Sequence, residues 1–184
     1  ALKRREQHPD YDGTEEFNYF MAVAFSQDQL MIYPYNRVMN NLNGLTEEEF
    51  LAALPEQGFD VEKVSPEFTE SERSKGAVTV QGKGEFAVYL SGNWYRLKAH
   101  PEILKDDPVG ALESSLLQDH ILEPILGVRD IRTDERMDFV GGSKGFEEIE
   151  RRCQEDMKIG FALYPTSMEE LFRVTDAGLV MPPK

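Results

Sequence analysis

Arg132-Thr-Asp-Glu-Arg-Met-Asp-Phe-Val-Gly-Gly-Ser-Lys-Gly-Phe-Glu-Glu-Ile-Glu-Arg-Arg152 is the stretch from which the fold can be read. Residues 136–140 alternate between polar and apolar side chains, which is the period of a half-buried strand. Residues 146–156 carry apolar side chains at helical spacing, and glutamates occupy the first turns, where they suit the helix dipole. The stretch therefore predicts a strand, a glycine loop and a helix.

The glycine loop has two interpretations. Gly141, Gly142 and Gly145 enclose Ser143 and Lys144, and backbone N–H groups that converge between a strand and a helix form a nest that binds anions such as phosphate. The alternative is that the glycines only make a tight turn and let the helix pack closely on the strand. The spacing is neither the dinucleotide fingerprint nor a P-loop.

Basic residues near the loop favour the anion site. Arg129, Arg132, Arg136 and Lys144 surround the loop in a chain that has 20 basic and 34 acidic side chains and a net charge of −14. Such a charge argues against nonspecific binding to nucleic acid or to an anionic membrane, because both require Lys and Arg to neutralise phosphates. It leaves room for one local basic pocket.

The cysteine and histidine content limits the chemistry further. Cys153 is the only cysteine, so the chain has no disulfide framework, and its place on an apolar helix face predicts a buried small hydrophobe. The 3 histidines are scattered without metal-ligand spacing, so no metal site is predicted. The sequence shows no signal peptide and no apolar run long enough for a membrane span, which makes the cytoplasm the expected location.

The remaining pattern predicts one α+β domain over residues 1–184. Residues 17–25 form a long apolar run, interpreted as a central strand buried on both faces, and residues 30–33 as the strand that returns from it. Further expected elements are strands over 59–64, 84–90, 94–98 and 158–164, and helices at 46–54, 112–122 and 166–176; capping boxes are expected at Thr46/Glu49 and Thr166/Glu169. The expected architecture is a mixed sheet with antiparallel hairpins and a βαβ-like C-terminal part.

Asn36 and Arg37 follow the expected returning strand directly. They could point polar groups into a cleft at the strand end, where ligands often bind. The alternative is an arginine on the surface and an asparagine in a turn.

Motifs along nearly the whole chain resemble those of one family, the bacterial and archaeal domain-of-unknown-function 1015 family. The residues that carry the resemblance are Tyr35-Asn-Arg-Val38, Leu42-Asn-Gly-Leu45, Leu116-Leu-Gln118, Ile121-Leu-Glu-Pro-Ile-Leu-Gly127, Arg132-Thr-Asp134, Phe139-Val-Gly-Gly142, Phe161-Ala-Leu-Tyr-Pro-Thr-Ser167 and Asp176-Ala-Gly-Leu-Val-Met-Pro-Pro-Lys184.

The resemblance implies that this chain is the C-terminal half of a longer protein. The N-terminal half of family members carries a motif similar to the nucleotide-handling motif of the ParB/sulfiredoxin-like fold, which includes free-serine kinases. Together with the frequent position of family genes beside serine-biosynthesis genes, this implies phosphoryl transfer involving serine or phosphoserine. A nucleotide and Mg²⁺ would then be bound through the other half.

Two functions follow as hypotheses. In the first, the chain is the phosphate-binding part of such an enzyme, and most catalytic acids and bases come from the N-terminal half. Arg37, Arg132 and Arg136 would form a clamp on the phosphate oxygens, and the glycine loop would offer N–H groups. The candidate ligand-binding residues are Asn36, Arg37, Arg132, Asp134, Arg136, Gly141, Gly142, Lys144 and Gly145. In the second, the chain is a non-catalytic half that packs on the N-terminal half of the same protein or forms a homo-oligomer.

Overall fold

A computed structural model describes residues 2–64, 80 and 82–183. The chain divides into two compact units, Ala1–Met31 and Ile32–Lys184. The first unit contains helix α1 (Leu2–Gln7) and two short 3-10 turns, Glu16–Asn18 and Gln27–Gln29, none of which buries a residue.

The second unit is built on a six-stranded sheet with the order β2-β4-β3-β6-β1-β5. Every neighbouring pair of strands runs antiparallel. The strands are β1 (Tyr35–Met39), β2 (Phe59–Lys63), β3 (Glu85–Leu90), β4 (Asn93–Ala99), β5 (Met137–Gly141) and β6 (Ile159–Leu163).

Both faces of this sheet are covered, because apolar residues occupy alternate positions that point to opposite sides. Phe86, Val88 and Leu90 of β3 face the larger core, whereas Ala87 and Tyr89 of the same strand face the smaller one. The larger core is closed by helices α2 (Glu47–Glu56) and α3 (Glu113–Leu117), and the smaller by α4 (Gly145–Glu155). The predicted α+β class is confirmed.

The helices begin where the sequence supplies their caps. The capping box of Thr46 and Glu49 opens α2 as predicted. The box that opens α5 (Met168–Asp176) is formed by Ser167 and Glu170, one residue later than predicted. Helix α3 continues as a π-helix, Gln118–Leu122, within the segment predicted as one helix. Among the described residues, no helix combines the length and the apolar character that crossing a membrane requires.

The predicted hairpin near the N-terminus is wrong. Residues 17–25 and 30–33 form no strand, and Phe20 and Met21 are 88% and 92% exposed. A doubly buried strand needs a neighbour on each edge and a layer on each face, and these residues have neither within the described part of the chain. The strand that enters the sheet is the next segment, β1.

The mixed sheet is also wrong, since β1 pairs antiparallel with both β5 and β6 and lies between them. The two flanking strands therefore run parallel to each other without touching, and α4 connects them. β5, α4 and β6 keep the direction of a βαβ unit, but β1 lies between the two strands, so no two neighbouring strands of the described sheet are parallel.

The close packing of α4 on β6 gives a first prediction. A Cβ at Gly160 would overlap Cγ2 of Ile149 in α4, whereas a Cβ at Gly141 would meet nothing nearer than 4.0 Å. Gly160→Ala should therefore lower the free energy of unfolding in urea by about 1–3 kcal/mol. Gly141→Ala, the control, should change it by less than about 0.5 kcal/mol. Equal stability of the two variants would contradict this packing.

Candidate functional site

A cavity of about 330 Å³ lies in the second unit, at one end of the inner strands β1 and β6. Antiparallel pairing places the start of β1 beside the end of β6, so the chain entering one strand and the chain leaving the other form its walls. The first residues of α3 and a C-terminal segment complete it. The lining residues are Ile32, Tyr33, Pro34, Tyr35, Arg37, Glu113, Ser114, Leu163, Tyr164, Thr166, Leu171, Met181, Pro182 and Pro183.

Arg37 is the buried cation of this cavity. It is 3% exposed, and its Nη1 donates a hydrogen bond of 3.3 Å to the backbone oxygen of Ser114. Its Nε has no hydrogen-bond partner in the described residues, and none of their carboxylates forms an ion pair with it. Burial alone lowers the pKa of Arg37 to about 10, so the guanidinium remains charged at neutral pH.

Glu113 is the buried acid that lines the same cavity. It is 6% exposed, and its Oε1 accepts a 2.8 Å hydrogen bond from the backbone N–H of Gly84. Its Oε2 is buried without a partner among the described residues. Burial, more than the nearby carboxylate of Glu170, raises the pKa of Glu113 to about 7. The group therefore changes its charge near physiological pH, which is typical of residues at functional sites.

Asn36 joins β1 to β6 beside the cavity. The ladder between β1 and β6 runs from Arg37 to Met39, and beyond it the side-chain oxygen of Asn36 accepts a 3.1 Å hydrogen bond from the N–H of Leu163. Both Asn36 and Arg37 are buried in β1. The interpretation as a surface arginine and a turn asparagine is therefore wrong. Of the two residues, Arg37 lines the cavity, whereas the side-chain oxygen of Asn36 is engaged in the sheet by the N–H of Leu163.

Arg136 and Asp134 lie near the opposite end of β5. The backbone oxygen of Arg136 accepts a hydrogen bond from Asn40, just past the far end of β1. About 13 Å of strand separates Met137 from Gly141. The guanidinium of Arg136 binds both carboxylate oxygens of Asp134 at 2.9 and 2.7 Å. The fold therefore does not bring this pair to Arg37.

Arg132 is likewise engaged by a neighbour. Its guanidinium binds both carboxylate oxygens of Asp130 at 2.9 and 2.7 Å, and this pairing lowers the pKa of Asp130 to about 2. The three-arginine clamp expected from the sequence would need Arg132 and Arg136 to leave their aspartates. Arg37 is the one of the three that has no carboxylate partner in the described residues.

The glycine loop touches the rim of the cavity at Pro34. The N–H of Gly142 donates to the backbone oxygen of Pro34 at 2.8 Å, and a Cβ on Gly142 would come within 2.6 Å of that oxygen. Gly145 has a φ of +70° and donates its N–H to Gly142. These features give the glycines the turn-and-packing role. The anion-binding role of Gly141, Gly142 and Gly145 remains a prediction.

Lys144 and Cys153 have ordinary surroundings. The ammonium of Lys144 lies 3.8 Å from the carboxylate of Glu148, one helical turn away. Burial raises the pKa of Cys153 to about 12, which keeps the thiol protonated and agrees with its predicted role as a small hydrophobe. In the ranges that the structure describes, no cluster of three His, Cys, Asp or Glu residues could hold a metal ion.

Glu113 is the site residue that the sequence analysis missed. It lies three and four residues before Leu116 and Leu117, which are both buried, and therefore shares their face of the helix. An acidic residue in a first turn is ordinarily explained by the helix dipole. Its position on the apolar face was the signal that could have identified it as buried.

Comparison with known proteins identifies the family. Residues 1–119 match the model of a family described as "Protein of unknown function (DUF1015)". The chain belongs to this family. No curated protein matches it.

Two solved structures are distantly similar. One is a free serine kinase variant in complex with AMP, with 16% identity, coverage of 83% of this chain and 51% of that chain, and a TM-score of 0.42. The other is a conserved hypothetical protein from Pyrococcus furiosus, with 15% identity, coverage of 83% and 53%, and a TM-score of 0.44. The chain thus spans about half the length of the solved structures that it matches.

The buried acid gives a prediction about pH. Because its pKa is raised from 4.5 to about 7, folded Glu113 retains a proton that the unfolded chain releases. Its contribution to stability is therefore complete below pH 4.5 and is lost as the pH rises to about 7. From pH 5.5 to pH 8.5, the free energy of unfolding of the unsubstituted chain should therefore fall by about 2 kcal/mol more than that of Glu113→Gln.

Urea unfolding at the two pH values measures this difference. Glu123→Gln, a substitution of an exposed residue, is the control and should follow the unsubstituted chain at both. A constant difference between Glu113→Gln and the unsubstituted chain would show that the carboxyl group of Glu113 does not titrate in this range.

Proposed function

We propose that the cavity binds a small anionic ligand through Arg37, and that the chain is the anion-binding part of a phosphotransfer enzyme acting on serine or phosphoserine. The observation that carries the proposal is a buried guanidinium that lines a cavity and has no carboxylate partner among the described residues.

Burying the unpaired charge of Arg37 has a free-energy cost. An ion removed from water loses several kcal/mol of solvation, and one backbone carbonyl returns only a small part of this. A carboxylate or phosphate in the cavity would supply the opposite charge and two acceptors for the planar guanidinium fork. Binding an anion would therefore offset part of the free-energy cost of burying the guanidinium without a counter-charge.

The choice of serine or phosphoserine is supported by the family resemblance rather than by the geometry. Within this proposal, the N-terminal half of the protein supplies the nucleotide, Mg²⁺ and most of the catalytic groups. The role of this chain is then to bind the ligand, and Arg37 is the principal cation that does so. The glycine loop, which contacts Pro34 at the rim of the cavity, would lie beside the ligand.

A matched pair of substitutions tests the role of Arg37. Arg37→Met removes the charge and keeps most of the length of the side chain. It should weaken phosphoserine binding, measured by isothermal titration calorimetry, by roughly tenfold or more. Arg136→Met makes the same chemical change to an arginine that is paired with Asp134. It should leave the affinity within about threefold.

Circular dichroism checks that both variants are folded before binding is compared. If Arg37→Met does not fold, Arg37→Lys takes its place. The lysine retains the charge but lacks the fork, so a loss of affinity is again expected. A larger loss of affinity with Arg136→Met than with either Arg37 variant would contradict binding in the cavity and would favour a site at Arg136.

As a second candidate function, we propose that the chain is a structural half that binds the N-terminal half of the same protein. The observation in its favour lies in the first unit, where apolar side chains are exposed along one segment, defined here as the apolar segment, residues 19–31. The backbone on either side of its 3-10 turn is extended, at Ser26 and Leu30. An apolar extended segment can add a strand to a sheet edge of another polypeptide.

Light scattering tests the apolar segment. If it binds a partner, the isolated chain should self-associate, since exposed apolar surface of this kind promotes association. Phe20→Lys with Met21→Lys should restore a monomer and abolish co-purification with the co-expressed N-terminal half. Leu2→Lys, which changes an exposed apolar residue outside the segment, is the control. A monodisperse, monomeric unsubstituted chain that fails to bind the N-terminal half would contradict this candidate.

A further inference from the structure

We infer that Glu113 is the second recognition group of the Arg37 cavity, where its carboxylate binds the ammonium group of an amino-acid ligand. The inference rests on the proposed function, because it assigns the second end of a ligand whose anionic end is bound by Arg37. It names the ligand class, an amino acid or its phosphorylated form, and the residue that distinguishes this class from other anions.

The geometry of Glu113 leaves one carboxylate oxygen for a ligand. Glu113 is the first residue of α3, and Oε1 is engaged by Gly84, whose N–H precedes β3. Oε2 has no partner in the described part of the chain, although the side chain is buried and lines the cavity. Oε1 thus anchors the carboxylate to the fold, and Oε2 remains an acceptor that no described residue uses.

Arg37 and Glu113 do not satisfy each other. They line one cavity, but neither appears among the charges that act on the other, and no ion pair joins them. Two opposite charges that share a cavity without contact are complementary to a ligand that carries both charges at once. A zwitterionic amino acid has this arrangement, whereas inorganic phosphate or a hydroxy acid can satisfy only the arginine.

The charged neighbours of Glu113 do not replace such a ligand. Lys83 lies near the start of β3, and its ammonium is 2.6 Å from the carboxylate of Glu170 in α5. Glu170 and Glu85 disfavour the ionised form of Glu113, and Lys83 favours it. An ammonium group placed at Oε2 would add the missing positive charge and stabilise the carboxylate.

A pair of ligands that differ in one group tests the inference. Phosphoserine and the 3-phosphoglycerate of matching configuration differ only in an ammonium that replaces a hydroxyl. Calorimetry at pH 8, where Glu113 is ionised, should show that the unsubstituted chain binds phosphoserine about tenfold more tightly than 3-phosphoglycerate. At pH 6 this preference should decrease, because Glu113 is then protonated.

Glu113→Gln is the matched variant, since its amide oxygen can still accept the hydrogen bond from Gly84 and so retain the anchor. It should bind the two ligands within about threefold of each other at both pH values. Glu123→Gln should behave as the unsubstituted chain.

Failure of the inference and failure of the proposed function give different results. If both ligands bind equally well and Arg37→Met abolishes both, the inference is wrong and the anion site stands. The same holds if Glu113→Gln keeps the preference for phosphoserine. If neither ligand binds, or if binding is indifferent to Arg37→Met, the proposed function is wrong, and the inference falls with it.

Discussion

One constraint organises the site: the Arg37 guanidinium is buried, and none of the carboxylates of the described residues is paired with it. A buried charge is unfavourable for folding, yet several elements of the fold surround this one. β1 is paired on both edges, α3 supplies the backbone oxygen of Ser114, and Asn36 closes the ladder to β6. An arrangement that costs stability and borders a cavity is explained most simply by a ligand that provides the missing charge.

The second buried charge makes the same argument more specific. Glu113 accepts a hydrogen bond from Gly84 with one oxygen, and its other oxygen has no partner among the residues that the structure describes. A purely structural carboxylate would be expected to satisfy both of its oxygens, and a purely structural arginine to have an acid beside it. Their presence in one cavity without an ion pair between them is the arrangement that the proposed zwitterionic ligand would explain.

The sequence predicted the local elements better than their arrangement. Alternation located β2 and β5, turn residues and apolar runs located β3, β4 and β6, and capping residues located α2, because these signals depend on near neighbours in the chain. Residues 17–25 have the apolar pattern of a core strand, yet burial requires partners that the described residues do not supply. The insertion of β1 between β5 and β6 could not be read either, since strand order depends on long-range pairing. Of the candidate site residues, Arg37 lines the cavity and Asn36 lies beside it in β1, whereas local aspartates bind Arg132 and Arg136.

The most direct test observes the arginine itself. With ¹⁵N-labelled protein, the Nε–H resonances of Arg37 and Arg136 can be assigned by the loss of each in its methionine variant and followed during a titration with phosphoserine. The account predicts a saturable shift of the Arg37 resonance, because its unpartnered N–H gains an acceptor nearby, and no shift of the Arg136 resonance. A saturable shift of Arg136 while Arg37 remains unchanged would contradict it.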